Sequence, residues 1–265
     1  METTPLTAHN LGQLLDHTFR MTFKNYRRFF LPVMLYSALS TALMEFMYAA
    51  NSDFFNAVMI SPDAAVDLFS SFNPGPYFLA ITVMVLASPF FQYIVNDLAI
   101  SSFFVREEEW NLPEAAGKAS GRYVPMLLTT LLASLLIMAG AFALFVGAIV
   151  VALYLSLLYP ILVFENLTPR ETIRRAFNLV QKNFWAILAN WIVFWLIFIG
   201  IDLINSRVVE LIAPLIMGDA VGITTTIIYF ILNLPVVVLT ISLQCCFTVN
   251  LYFNQRIKKE GFGLE

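Results

Sequence analysis

Charge is scarce in this chain: of 265 residues, only 12% are Asp, Glu, Lys or Arg, roughly half the share of a soluble domain. So little polar side chain cannot cover a water-soluble globule of this size. Intrinsic disorder is excluded by the same figure, because disordered chains are charge-rich and apolar-poor. The two cysteines, adjacent at Cys245 and Cys246, exclude a disulfide framework and a four-ligand zinc site. Neither charge sign dominates, and a net charge of −3 gives no global argument for a nucleic-acid partner. No nucleophile elbow, phosphate loop or HExxH pattern occurs.

Apolar residues are plentiful, 59% of the chain with a mean hydropathy of +0.77. Both figures point to an integral membrane protein, and the lengths of its apolar stretches to an all-α one. A spanning helix needs about 20 mostly apolar residues, and such stretches lie at about 29–49, 77–105, 184–203 and 223–253. Between Val124 and Phe164 there is no charged residue. As one helix this block would be roughly 60 Å long, about twice the hydrocarbon thickness. It is therefore read as a hairpin of two spans, 124–142 and 145–164, turning between Gly140 and Gly147, with Ala139, Ala143 and Gly147 at small-residue spacing for close helix packing. The expected fold is a single membrane domain, 1–265, forming a six-transmembrane-helix bundle.

Lys and Arg placement sets the orientation. With six spans, the segments 1–30, 106–122, 165–183 and the tail share one side and hold 14 of the 15 cationic residues, leaving only Arg207 opposite. Both termini are therefore expected in the cytoplasm. The opposite loops carry Asp53, Asp63, Asp67, Asp202, Glu210 and Asp219, and Ser61-Pro62-Asp63 reads as the start of a short helix at 62–72. No signal peptide is visible in the first 28 residues, so the first span is expected to act as its own insertion signal.

Three segments have helical period without being spans. In 10–28, Leu11, Leu14, Leu15, Phe19, Phe23 and Tyr26 fall on one face, and Gln13, Asp16, His17, Arg20, Lys24 and Arg27 on the other. A basic amphipathic helix leading into a span is expected to lie flat at the interface. Segment 168–183 repeats the design behind a Thr168-Pro169-Arg170-Glu171 capping box, with Ile173, Ala176, Phe177, Val180 and Phe184 on its apolar side. A weaker version at 111–122 opens with Leu112-Pro113-Glu114. The chain thus reads as three units, each an amphipathic helix followed by a membrane hairpin. Anionic lipid headgroups are the expected partners of Arg20, Lys24, Arg27, Arg28, Arg170, Arg174, Arg175, Lys182, Arg256, Lys258 and Lys259.

Three islands carry a family resemblance: Leu11-Gly12-Gln13-Leu14-Leu15-Asp16-His17-Thr18-Phe19-Arg20, then Leu158-Tyr159-Pro160-Ile161-Leu162-Val163-Phe164-Glu165 with Arg174-Arg175-Ala176-Phe177, and finally the tail from Leu251 to Phe262. Together they resemble the membrane domain found fused to some bacterial glycerophosphodiester phosphodiesterases. Asn254 and Gly263 depart from it, standing where aspartates would be expected. The resemblance implies a multi-span protein of the bacterial inner membrane in which the catalytic domain, when present, is separate.

Such a phosphodiesterase needs paired histidines and metal-binding carboxylates on a soluble barrel. Here His9 and His17 read as solvated surface residues, Glu107-Glu108-Glu109 as a solvated loop, and the two cysteines as small apolar groups. Intramembrane polar residues carry more weight, being expensive unless satisfied. Asn96 and Asp97 in the second span, with Gln244 and Asn250 in the sixth, form the candidate polar site. Asp97 lies eight positions before Val105, a depth of roughly 12 Å. It reads either as an interhelical hydrogen-bonding group or as part of a functional cavity. Glu45, Glu165 and Asp202 lie near span ends. The reading favoured is a non-enzymatic membrane module, without cofactor, that organises or assists membrane partners, or copies of itself, through its cytoplasmic helices. A small transporter or channel using Asp97 is the alternative. A reporter fused after Leu144 is expected to read on the side opposite both termini; a reading on the same side would refute the hairpin.

Overall fold

A computed structural model describes residues 8–52, 54, 72–104, 110–142, 146–217 and 223–261. Among them nine helices form and no strand: α1 Leu11–Ala50, α2 Pro74–Phe103, α3 Leu112–Gly121, α4 Tyr123–Ala141, α5 Val146–Leu155, α6 Leu158–Glu165, α7 Pro169–Gln181, α8 Phe184–Met217 and α9 Ile223–Glu260. Six segments are long and apolar enough to cross a membrane: α1, α2, α4, α5 with α6 taken together, α8 and α9. The chain is thus a multi-pass membrane protein by length and composition. Residues 62–71 of the short helix expected at 62–72, the Glu107–Glu109 loop and Gly263 lie outside the described residues.

The backbone explains most boundaries. Asn10 caps α1, its side chain accepting from the Gln13 N–H at 2.9 Å while the Gln13 side chain accepts from the Asn10 N–H at 3.1 Å, so two of the helix's orphan donors are satisfied reciprocally. Asn111 caps α3 by accepting from the Glu114 N–H. At the start of α7 the Glu171 carboxylate accepts from both the N–H and the hydroxyl of Thr168. Between α5 and α6, Pro160 has no N–H to offer the Ser156 carbonyl. The chain turns there at Ser156–Leu157, where the Ser156 hydroxyl donates to Leu153 O. Asn166 closes α6 at φ 56°, the left-handed conformation that asparagine tolerates better than most residues.

α1 differs from the sequence expectation. No break separates an interfacial helix from a span; the helix runs unbroken from Leu11 to Ala50, with Pro32 inside it. Its inward stripe is Leu14, Thr18, Met21, Thr22, Asn25, Phe29 and Val33, rotated from the apolar face read in the sequence, and Phe23 is left 61% exposed. The reason is its partner. α1 lies antiparallel to α9, cross-linked in register by His17 to Asn250, Tyr26 to the Pro235 carbonyl and Glu45 to Thr226. The buried Thr18, Thr22 and Asn25 donate to carbonyls one turn back in α1 itself, and Asn250 of α9 donates to Thr18.

α2 packs against both helices, α8 lies on α9, and α7 crosses α4, α5 and α6. The apolar face of α7 is covered by the bundle itself: Ile173 and Phe177 pack on Ala133, Leu155 and Leu158, and Phe177 stacks on Tyr154 at 4.7 Å. The hairpin turn lies after Ala141 and before Val146, within the expected interval. Its close approach is between Gly140 and Gly147; Ala143, the middle of the expected small-residue spacing, lies outside the described residues. A Cβ on Gly140 would meet Gly147 O at 2.8 Å.

Burial is uneven along the bundle. The end that holds both termini is dense, with Phe103 stacked on Phe253 at 4.2 Å and Phe104, Phe164 and Tyr252 around them. At the other end large apolar side chains stand open, among them Met44, Phe78, Leu203, Leu211 and Leu215. That much contiguous apolar surface is stable only where the solvent is hydrocarbon. Replacing Gly140 by Leu is expected to cost about 1–3 kcal/mol by forcing α4 from α5, read as a lower unfolding temperature in detergent. Gly200→Ala, where nothing lies within 4 Å of the new Cβ, is expected to cost nothing.

Candidate functional site

Polar side chains concentrate in four places. The first joins the ends of the chain. The His9 N–H donates to Asn254 Oδ1 at 2.8 Å, and Asn254 Nδ2 donates back to the His9 carbonyl at 3.1 Å. An aspartate at 254 could make only the first of these bonds, which gives the departure from the resembled pattern a structural consequence. One helical turn deeper, His17 Nδ1 meets Asn250 Oδ1 at 2.8 Å, and Asn250 Nδ2 donates to Thr18 Oγ1. The two imidazoles touch edge to face at 5.7 Å, and His17 also packs on Phe103. His17 is not the solvated surface residue that the sequence suggests, since the rotation of α1 turns it toward α9; His9, ahead of the helix, is half-buried beside it.

The second place is a closed ring. Arg175 Nε donates to both oxygens of Glu165 at 3.0 Å, and Tyr252 Oη donates to the same carboxylate at 2.6 Å. Arg256 Nη1 donates to Tyr252 Oη, and Arg256 Nε donates to Glu260 at 3.1 Å. Glu260 pairs with Arg175 and closes the circuit. Two guanidiniums balance two carboxylates, and Arg256 also lies over the Phe164 ring. The structure therefore places Arg175 and Arg256 differently from the sequence expectation: with side chains 23% and 18% exposed, they brace α6, α7 and α9. Arg20, Lys24, Arg27, Arg170, Arg174, Lys182, Lys258 and Lys259 are exposed and Arg28 half-exposed. Of these, Arg20 pairs with Asp16, and Lys259 donates to the Asn178 carbonyl at the end of α7.

The third place holds Asp97. Its Oδ2 accepts from Trp110 Nε1 at 2.9 Å, in a pocket shared with Ser101, Asn111 and the Glu114–Lys118 ion pair of α3. Lys118 keeps the Glu114 carboxyl below its ordinary range by hydrogen bonding and charge. Asn96, next in sequence, points elsewhere, into a cavity of about 560 Å³ bounded by α2, α5, α6, α8 and α9. Gln244 lines that same cavity, with Gln92, Ser156, Tyr159 and Trp191.

The four-residue polar site expected from the sequence thus divides. Asn96 and Gln244 line one cavity; Asp97 faces α3, and Asn250 faces α1. Helix geometry is the cause. Adjacent residues diverge by about 100° around the axis, and residues six apart by about 240°, so neither 96 with 97 nor 244 with 250 can share a direction. Reasoning from the sequence missed Gln92, Ser156, Tyr159 and Trp191. The signal for the first was present, since Gln92 and Asn96 lie four apart on one helix face. Among the described residues no group of three or more His, Cys, Asp or Glu is placed to hold a metal ion. Cys245 and Cys246 are both buried in α9 and unpaired with each other.

Compared with protein-family models, curated proteins and solved structures, the chain has no match.

The His9 contact carries a pH dependence. Burial, and then the neighbouring His17, lower the proton affinity of His9 below its ordinary value. A histidine whose folded affinity is depressed binds more protons unfolded than folded, so its contribution is fully present above about pH 6.5 and is lost as the pH falls through that value. Unfolding temperatures in detergent at pH 7.5 and 5.5 should therefore show a loss on the acid side. Asn254→Asp, which sets a carboxylate beside His9, is expected to shrink that loss while lowering stability at pH 7.5.

Proposed function

We propose that this chain is a non-enzymatic, multi-pass protein of the bacterial inner membrane, with both termini in the cytoplasm, that organises or assists membrane partners through a basic belt on its cytoplasmic end. The observation that carries the reading is the gathering of cations on one end of the bundle. The start of α1, the whole of α7 and the end of α9 meet there through His9–Asn254, Asn183–Gln255 and Lys259–Asn178. Around that junction Arg170, Arg174, Lys182 and Lys258 are exposed, and 14 of the chain's 15 cations belong to segments at this end.

Physical chemistry favours the same orientation, because basic segments remain on the cytoplasmic side of a membrane and meet anionic headgroups there. The first turns of α1, with α3 and α7, are the interfacial elements of three helix-plus-hairpin units. α1 and α3 open on side-chain caps at Asn10 and Asn111, and α7 opens with Glu171 accepting from Thr168, which satisfies polar groups where these helices begin. The resemblance to membrane domains of glycerophosphodiester phosphodiesterases agrees with such a supporting role. The alternative of a channel around Asp97 has less support, since Asp97 is engaged by Trp110 and its expected partners lie on other faces.

The test is the triple substitution Arg170→Gln, Arg174→Gln, Lys182→Gln. At about 1 kcal/mol per cation near an anionic surface, capture of anionic lipid and of cross-linked membrane partners from native membranes is expected to fall about a hundredfold, with unchanged unfolding temperature. Wild-type capture by the variant would overturn the proposal.

A further inference from the structure

The cavity between α2, the α5–α6 elbow, α8 and α9 is not used by the basic belt, and its donors and acceptors do not balance. Asn96 is 2% exposed, and its Nδ2 donates to the Gln92 carbonyl at 2.8 Å. That bond fixes the amide's orientation, because a flip would set two carbonyl oxygens against each other. Asn96 Oδ1 is thereby left buried as an acceptor with no protein partner. Trp191 lines the same cavity, and its Nε1 is buried as a donor with no protein partner. Leaving such groups unmatched costs about 1–3 kcal/mol each.

The remaining walls define what could match them. No charged residue lines the cavity, so a carboxylate, phosphate or ammonium would enter without a counter-charge, at large cost. A carboxylate also has no proton to give Asn96, and an ammonium no lone pair to take one from Trp191. A hydroxyl can do both. Most other lining residues are apolar, including Leu153, Leu155, Leu188 and Ile241. The side formed by Ile149 of α5 and by Ile192 and Trp195 of α8 is exposed, on stretches of helix that are long and apolar enough to lie in hydrocarbon. The volume of about 560 Å³ falls in the ordinary range for ligand sites, roughly 300–1,000 Å³.

We propose that this cavity binds an amphiphile consisting of an alkyl chain and an uncharged, hydroxyl-bearing headgroup, admitted between α5 and α8 from the hydrocarbon layer. The hydroxyl donates to Asn96 Oδ1 and accepts from Trp191 Nε1, Gln244 and Ser156 flank the headgroup, and the chain lies along the apolar wall. The Pro160 break contributes by turning the α5–α6 segment at Ser156, which opens the wall there.

The experiment uses the full chain in phospholipid nanodiscs with a hexadecanol probe that carries a mid-chain diazirine. After photolysis, labelled peptides are mapped by mass spectrometry. Labelling is expected on residues 149–152 and 192–195, and excess hexadecanol is expected to reduce it at least tenfold, whereas equal excesses of hexadecane or palmitate leave it in place. Asn96→Leu should weaken the competition by hexadecanol about tenfold, the loss of one hydrogen bond. Because Asn96 is buried, Ala152→Trp serves as a second variant: it fills the mouth from an exposed position without touching a polar group, and should abolish the labelling. Equal competition by hexadecane would show an apolar slot and overturn the headgroup assignment. Equal competition by palmitate would overturn the requirement for an uncharged donor. Undiminished labelling in Ala152→Trp would overturn the site.

Discussion

Five side chains at the end of the bundle that holds the termini, Glu165, Arg175, Glu260, Arg256 and Tyr252, close a ring that ties α6, α7 and α9. Its physical logic is charge balance under partial burial. Two guanidiniums removed from bulk water need two carboxylates, and each carboxylate is shared, so every member has at least two partners. Removing one would leave others desolvated without compensation, which is costlier than the ring is favourable. The aromatic box of Phe103, Phe104, Phe164 and Phe253 sits directly beneath it, and the stacked rings fix the register of α2 against α9. The ring and the box together join α2, α6, α7 and α9 at this end.

That division of labour reflects the two solvents the chain must satisfy. In hydrocarbon there is little hydrophobic reward for helices to associate, so packing and interhelical hydrogen bonds have to hold them. The bundle accordingly uses Asn205–Asn233 and Thr226–Glu45 as isolated ties toward its open end. At the dense end water is near, and charged groups and apolar contacts are both available. The same contrast makes the cavity beside Asn96 notable. It lies among helices whose other buried polar atoms are mostly matched, and its unmatched acceptor and donor are complementary to one another in kind.

Some errors of sequence reasoning were geometric and therefore instructive. Asn96 and Asp97 look like one polar pair in the sequence but belong to different pockets. His17 sits among charged residues in the helical period, yet it faces Asn250. Arg175 is one position from the exposed Arg174 and is turned inward. In each case the residue type announced that polarity mattered, and only the helix's rotation decided what the polarity would meet. The helical period reports which side chains lie together; it does not report which side a neighbour will occupy. Thr18, Thr22 and Asn25 of α1 donate to carbonyls one turn back in their own helix, which admits them to an interior, and Thr18 also accepts from Asn250 of α9.

The sequence by itself determined that the chain is all-helical, that six segments can cross a membrane, and that the uncharged block from Val124 to Phe164 must fold back on itself. Those conclusions follow from quantities local to the chain, namely apolar run length and helix rise. Tertiary structure alone decided that α1 continues unbroken, that Arg175 and Arg256 serve as internal braces, that Gly140 is where two backbones meet, and that Gln92, Ser156, Tyr159 and Trp191 share a cavity with Asn96 and Gln244. Those facts depend on the rotation and register of one helix against another, which are set by contacts between different helices and leave no periodic trace in either.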